Sequence, residues 1–288
     1  MTMRAAMLRI LQQEDINFLV TNRIPRQLLT RFMGWFSKVE QPLVSRLSLA
    51  LWRGFADLRL DESQKASFTS LHDCFIRELK PGVRPVEADP AVLTSPCDAI
   101  VGASGSLEGV RLLQAKGFPY TLVDLIADPG LAARYRDGTY ATLRITSSMY
   151  HRFHAPYDCR VGHVSYISGD TWNVNPIALR RVERLFCRNE RAVIRTTLDR
   201  GGHEILLVPV AAVLVASIRL HFLDVLLHLR YKGPNRISCE ARFAKGQEMG
   251  WFQHGSTIIV LAPKGFAMHE HAREGEVIRV GEPLMRLP

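Results

Sequence analysis

Paired cysteines are missing from this chain. Its 288 residues hold five cysteines (Cys74, Cys97, Cys159, Cys187 and Cys239), an odd number, widely spaced and without a C-x-x-C pair. That argues against a disulfide framework or a cysteine-rich zinc site, and it suits free thiols in a reducing compartment. A long apolar run is missing too. The longest uncharged stretch, Ile205 to Ile218, has 14 residues, contains Pro209 and is rich in valine. It is too short to span a bilayer and is predicted to be a buried strand. The N-terminus shows neither the compact apolar core nor the small-residue cleavage site of a signal peptide. No low-complexity linker, repeat, helical H-E-x-x-H or nucleic-acid-binding motif is found, so no nucleic-acid partner is expected.

What is present describes a folded chain. A hydrophobic fraction of 47% with 23% charged residues is globular, and the length allows one large domain or two of ordinary size. The net charge of +9 is unevenly placed: residues 1–56 carry eight basic side chains (Arg4, Arg9, Arg23, Arg26, Arg31, Lys38, Arg46, Arg53) against three acidic ones. Such an excess favours an anionic partner. By charge alone nucleic acid and an anionic membrane surface both qualify, the second at roughly 1 kcal/mol per Lys or Arg held near the headgroups.

The first 60 or so residues read as helical. After Pro25, the residues Leu28, Leu29, Phe32, Trp35, Phe36 and Val39 recur at three- and four-residue spacing. From Pro42, the residues Val44, Leu47, Leu51, Trp52 and Phe55 form a second stripe. Basic amphipathic helices bearing Trp and Phe can lie in a membrane interface or pack on their own domain, and the pattern alone allows both. From about residue 90 the chain changes to short β-like runs punctuated by Gly, Pro and Asp. The expected fold is α+β: an amphipathic helical segment over 1–66, then a mostly antiparallel sheet sandwich or barrel-like core over 67–288. The tail "GEVIRVGEPLMRL" is predicted to pair two short strands around a Gly-Glu turn.

Three stretches carry reactive side chains: "SPCDA" with Asp98, "YHRFHAPYD" with His151 and His154, and "WFQHGSTIIV" with Ser256. A serine hydroxyl is a poor nucleophile unless a base takes its proton; histidine is the usual base near neutral pH, and a carboxylate commonly orients it. Ser256, His154 and Asp98 could form such a set. His151 and His154 are an odd number apart, so a regular strand would send them to opposite faces, and sharing one site requires a bend at Ala155-Pro156. The histidines of H-x-x-H, with His269 and His271, allow a metal reading, but no metal site is assigned.

Taken together and in order, "FIRELKPGVRP", "SPCDA", "YHRFHAPYDCRVGHV", "NVNP", "LFCRNER" and "FAKGQEMGWFQHGSTIIV" resemble the pyruvoyl-dependent phosphatidylserine decarboxylases of bacterial and mitochondrial membranes. The likeness runs from about residue 68 to the end, and the basic helical N-terminus also resembles the bacterial enzymes. The resemblance implies self-cleavage between Gly255 and Ser256, giving a large chain of 1–255 and a small chain of 256–288. Ser256 would become a covalent pyruvoyl cofactor whose ketone takes up the electrons released as carbon dioxide leaves. His154, oriented by Asp98, would deprotonate Ser256, and His151 would return the proton after decarboxylation. It further implies phosphatidylserine as substrate, a homodimer, and a peripheral place on the cytoplasmic side of the cell membrane.

Three positions depart from the family pattern. His254 stands where an apolar residue is usual before Gly-Ser-Thr, Cys97-Asp98-Ala99 replaces Ala-Asp-Gly, and "VAAVLVASIRLHFLD" lacks the usual small polar residues. The competing readings are a non-enzymatic membrane-binding module that keeps the fold, and a metal-dependent hydrolase using the His pairs.

Overall fold

The structure, a computed structural model, describes residues 13–22, 25–114, 118–213, 217–228, 231–253 and 256–288. The helices α1 (Glu14–Asn22), α2 (Arg26–Phe36), α3 (Pro42–Phe55) and α4 (Leu71–Phe75) come first. Strands β1 (Val92–Thr94) and β2 (Ala99–Ser106) precede the antiparallel pair β3 (Arg111–Leu113) and β4 (Pro119–Thr121). Short helices α5 (Leu122–Ile126) and α6 (Pro129–Ala133) lead to β5 (Thr139–Ile145), β6 (Arg152–His154) and β7 (Cys159–Ile167). After α7 (Pro176–Arg181) and α8 (Leu185–Arg188) come β8 (Arg191–Leu198), β9 (Glu204–Val210), β10 (Ser217–Leu220) and β11 (Val225–His228). The rest is β12 (Arg236–Phe243), β13 (Glu248–Phe252), β14 (Ser256–Ala262), β15 (Ala267–Met268), β16 (Val277–Ile278) and β17 (Pro283–Arg286).

Local chemistry starts and stops the helices. Gln41 caps α3, its side chain accepting from Val44 N at 2.7 Å, with Pro42 in the first turn where no N–H is needed. Ser70 caps α4 through Asp73 N, and Thr121 and Asp124 close a capping box on α5. Helix α1 is stitched to α7 by Asn175 Nδ2 donating to Asn17 Oδ1 at 2.9 Å and by the ion pair of Arg181 with Asp15. At the start of α2, Arg26 pairs with Asp170 and lies 3.8 Å over the Trp172 ring.

The two predicted apolar stripes divide on folding. Leu28, Phe32 and Trp35 of α2, and Leu43, Leu47 and Leu51 of α3, are exposed. Trp52 turns inward instead and stacks on Phe75 at 4.3 Å. Successive helical residues are about 100° apart, so Leu51 and Trp52 cannot share a direction.

An eight-stranded antiparallel sheet, ordered β12-β7-β8-β9-β14-β5-β2-β16, forms the centre. Ile258, Val260 and Ala262 of β14 enter one apolar core, Ile259 and Leu261 the other. Both faces of the central strands are therefore covered, which is why they read as unbroken apolar runs. On one face lies a four-stranded sheet, β11-β10-β13-β6, whose Phe153, Ile218, Met249 and Phe252 complete the sandwich. On the other, α5, α6 and α8 supply Leu122, Leu125, Leu131 and Phe186. The α+β class with an antiparallel sandwich core is as the sequence suggested.

Two expectations about strands are corrected. The Ile205–Ile218 run is not one strand: β9 ends at Val210, and Ser217 begins β10 in the facing sheet. The tail does turn at Arg279–Glu282, with Glu282 N donating to Arg279 O. It does not form a hairpin, because β16 pairs with β2 while β17 pairs with β1 and β15. Gly281, at φ +86°, packs so closely on Pro85 that a Cβ would sit 2.5 Å from its carbonyl oxygen, and this bend passes the chain from one sheet to another.

Candidate active site

Ser256 is the first residue of β14, paired with Ile145 of β5. Side-chain alternation along β14 aims it into the core between the two sheets. It is wholly buried and its hydroxyl has no hydrogen-bond partner among the described residues. His254 and Gly255, which precede it, lie outside the described residues.

His154 closes β6, where its N–H donates to Pro96 O at 2.7 Å and so joins the "YHRFH" strand to the "SPCDA" stretch. The ring's Nδ1 lies 2.8 Å from Gly246 O, and a carbonyl can only accept, so Nδ1 carries the hydrogen. That leaves Nε2 to accept from the Tyr150 hydroxyl at 3.0 Å. Burial lowers the imidazole below its ordinary pKa; the Gly246 carbonyl and then the nearby Glu248 and Asp98 act the other way.

Asp98 is not hydrogen-bonded to His154. Its carboxylate accepts from Arg84 Nε at 2.9 and 3.1 Å, from Arg84 Nη2 at 2.6 Å and from Val280 N at 3.0 Å. The expected orientation of the imidazole by Asp98 is thus replaced by the Gly246 carbonyl, because the Arg84 fork claims the carboxylate first. Arg84 also reaches Glu62 at 2.7 Å, and these bonds outweigh burial and hold its pKa above the ordinary value. Arg84 and Tyr150 line two adjacent clefts, one of about 220 Å³ that contains Asp98 and one of about 260 Å³ that contains His154.

His151 precedes β6 and points elsewhere. It is fully buried, packs edge-on against Phe75 at 5.1 Å, and among the described residues neither ring nitrogen has a partner in full hydrogen-bond geometry, although the Met149 backbone acts on the ring to favour its protonated form. Burial lowers its pKa to about 3, so the ring is neutral at physiological pH. His269 and His271 stack at 5.4 Å, and no group of three metal-binding side chains occurs among the described residues.

The structure therefore gathers Asp98, His154, Tyr150 and Arg84 around two clefts, with Ser256 and His151 buried and, among the described residues, hydrogen-bonded to neither that carboxylate nor that base. Sequence reasoning passed over Tyr150 and Arg84. Both stand inside quoted stretches, "YHRFH" and "GVRP", but only the fold shows that the first meets Nε2 and the second captures Asp98.

A family model described as phosphatidylserine decarboxylase matches residues 71–286. A phosphatidylserine decarboxylase proenzyme of Anaeromyxobacter sp. (strain K) is 35% identical over 270 residues, covering 91% of this chain and 94% of its own. One from Vibrio cholerae is 35% identical over 274 residues, covering 90% and 94%. One from Sodalis glossinidius is 32% identical over 283 residues, covering 94% and 95%.

Proposed function

The chain belongs to the phosphatidylserine decarboxylase family, and on that premise we propose that it is a self-processing, pyruvoyl-dependent carboxy-lyase converting phosphatidylserine to phosphatidylethanolamine and carbon dioxide. The observation that carries this reading is Ser256 itself, a buried hydroxyl with no partner among the described residues, directly following Gly255 in the sequence. An unpaired buried donor costs about 1–3 kcal/mol and calls for a reason. Conversion of Ser256 to a ketone removes that O–H donor, so the dry position suits the group it would become.

Self-cleavage draws on residues of this chain. His154 takes the Ser256 proton with Tyr150 as relay, while the field of Asp98 favours the protonated ring without a hydrogen bond to it. Ser256 Oγ attacks the Gly255 carbonyl, and the amide C–N bond is exchanged for an ester C–O bond. Elimination then breaks the Cβ–O bond, frees the Gly255 carboxylate and leaves dehydroalanine, from which tautomerisation and water release ammonia. The large chain is 1–255 and the small chain 256–288. When formed, the pyruvoyl group supplies the electron sink for decarboxylation. His151 returns the proton; a substrate carboxylate arriving beside its neutral ring would raise its pKa and favour proton uptake.

The exposed stripes of α2 and α3, flanked by Arg31, Lys38, Arg46 and Arg53, support peripheral attachment to an anionic membrane on its cytoplasmic side. No described helix is long and apolar enough to cross a membrane. The homodimer rests on family resemblance, and light scattering of the purified protein tests it.

The deciding experiment is intact-mass spectrometry under denaturing conditions. Two chains meeting at Gly255/Ser256 are expected, the smaller gaining the mass of two hydrogens on borohydride treatment. A single unmodified chain in an active preparation would overturn the pyruvoyl reading. Ser256→Ala is expected to abolish both cleavage and activity. His151→Ala is expected to cleave normally and lose most turnover, and full turnover would remove His151 from its role.

A further inference from the structure

Arg77 is a buried cation without an ion-pair partner among the described residues. Only 4% exposed, it donates to Cys74 O at 3.2 Å and to Ser148 O at 3.1 Å, while its Nε has no partner among those residues. No carboxylate among the described residues forms an ion pair with it. Buried guanidinium groups are usually paired, because desolvation of a lone charge is costly.

Its surroundings form a graded, positively charged cleft. Arg77 lines the 220 Å³ space together with Arg59, Arg84 and Arg279. Arg84 is taken up by Asp98 and Glu62, whereas Arg59 and Arg279 approach only Glu62, at 4.0 and 3.8 Å. Four guanidinium groups thus face Asp57, Glu62 and Asp98, and the unmatched charge is the buried one. The Arg59 side chain is 61% exposed and that of Arg279 38%, so the cleft runs from an open rim near the end of α3 down to Arg77.

We propose that this cleft binds the phosphodiester of the lipid headgroup, with Arg77 at its floor and Arg59 and Arg279 at its rim. This rests on the decarboxylase reading above. Arginine suits phosphate because its planar fork presents parallel donors to two oxygens. The scissile carboxylate is a poorer occupant, because it must lie beside the group derived from Ser256, and Ser256 does not line this cleft. The phosphorus of phosphatidylserine is four bonds from the reacting amine, so its site is expected next to the chemistry and not at it. Arg279 belongs to the small chain and Arg77 to the large one, so both chains complete the site.

Titration calorimetry with glycerophosphoserine, the lipid's soluble headgroup, tests this without requiring the pyruvoyl group. Arg77→Gln is expected to weaken binding at least tenfold. The rim double variant Arg59→Gln/Arg279→Gln is expected to do the same, and it carries the test if Arg77→Gln does not fold. Unchanged binding in a folded variant would overturn the proposal. So would equal competition by inorganic phosphate, which would make this a free-phosphate site, or equal competition by serine, which would show that the amino acid part is being read. Intact mass of the same samples shows separately whether the pyruvoyl reading holds.

Discussion

The Nε2 lone pair of His154, the one atom of that ring able to take a proton, meets the Tyr150 hydroxyl at 3.0 Å. In the proposed self-cleavage, the proton of Ser256 therefore reaches His154 through Tyr150 or by displacing it. Positioned acid–base groups contribute about 10²–10⁴-fold, so Tyr150→Phe is expected to slow self-cleavage by roughly tenfold or more, read as uncleaved chain against time on a denaturing gel. Unchanged or faster cleavage would show that Tyr150 only blocks the nitrogen. Glu190 makes a separate test of buried charge. It is fully buried, neither carboxyl oxygen has a partner in full hydrogen-bond geometry among the described residues, and the neighbouring Tyr166 hydroxyl, which donates to His228 O, offsets only part of the cost of burial. Burial pushes its pKa up to about 8 from an ordinary 4.5. Between those values the native state holds a proton that the unfolded chain has lost, so stability falls as pH rises through that window. The loss should be on the order of a few kcal/mol, and Glu190→Gln should flatten it in urea melts at pH 5 and pH 8. Ser256, His154 and Asp98 were singled out by residue type and motif context, and the fold brings Asp98 and His154 to adjacent clefts that share Arg84 and Tyr150. The capture of Asp98 by Arg84 was not legible, because a hydrogen bond between residues 14 apart in an irregular segment leaves no periodic trace.

At the scale of elements, strands buried on both faces were the easiest to read. The runs "STIIVLA" and "EILLVPV" are continuous because cores lie on both sides of the sheet. The pairing of two-residue strands such as β16 was beyond reach, since it depends on which distant edge arrives beside them. Helix α3 shows a third case, in which periodicity finds the helix but not which half of its apolar surface stays outside. Its outer half, Leu43, Leu47 and Leu51, is more than 60% exposed, while Trp52 stacks on Phe75 and Phe75 meets His151. The helix proposed to face the membrane is thereby one aromatic contact from His151, to which the proposed mechanism gives the proton return. Burying a leucine side chain is worth about 1.5–3 kcal/mol, so Leu47→Ser/Leu51→Ser is expected to weaken flotation with phosphatidylglycerol-containing vesicles by tenfold or more at unchanged melting temperature. Full flotation of that variant would move the attachment surface elsewhere. Trp52→Ala should instead lower kcat on a soluble short-chain substrate, for which membrane attachment does not matter.

Across the whole molecule, the proposed cut converts one chain into two without giving the smaller one a fold of its own. Residues 256–288 supply β14 at the middle of the eight-stranded sheet, β16 at its edge, and β15 and β17 in a third sheet with β1. β14 pairs with β5 along its whole length and with β9 over Thr257–Leu261. Ile258, Ile259, Val260 and Leu261 are wholly buried, and at about 1.5–3 kcal/mol each they contribute roughly 6–12 kcal/mol to retention. A free energy of about −8 kcal/mol already corresponds to micromolar affinity, so the small chain should stay in place under native conditions. Unfolding, however, becomes a dissociation and acquires the concentration dependence of one. The denaturation midpoint of the cleaved protein is expected to rise with protein concentration, whereas that of the uncleaved Ser256→Ala chain should not. Equal and concentration-independent midpoints for the two proteins would mean that the chains do not part on unfolding, or that the bond before Ser256 is never cut.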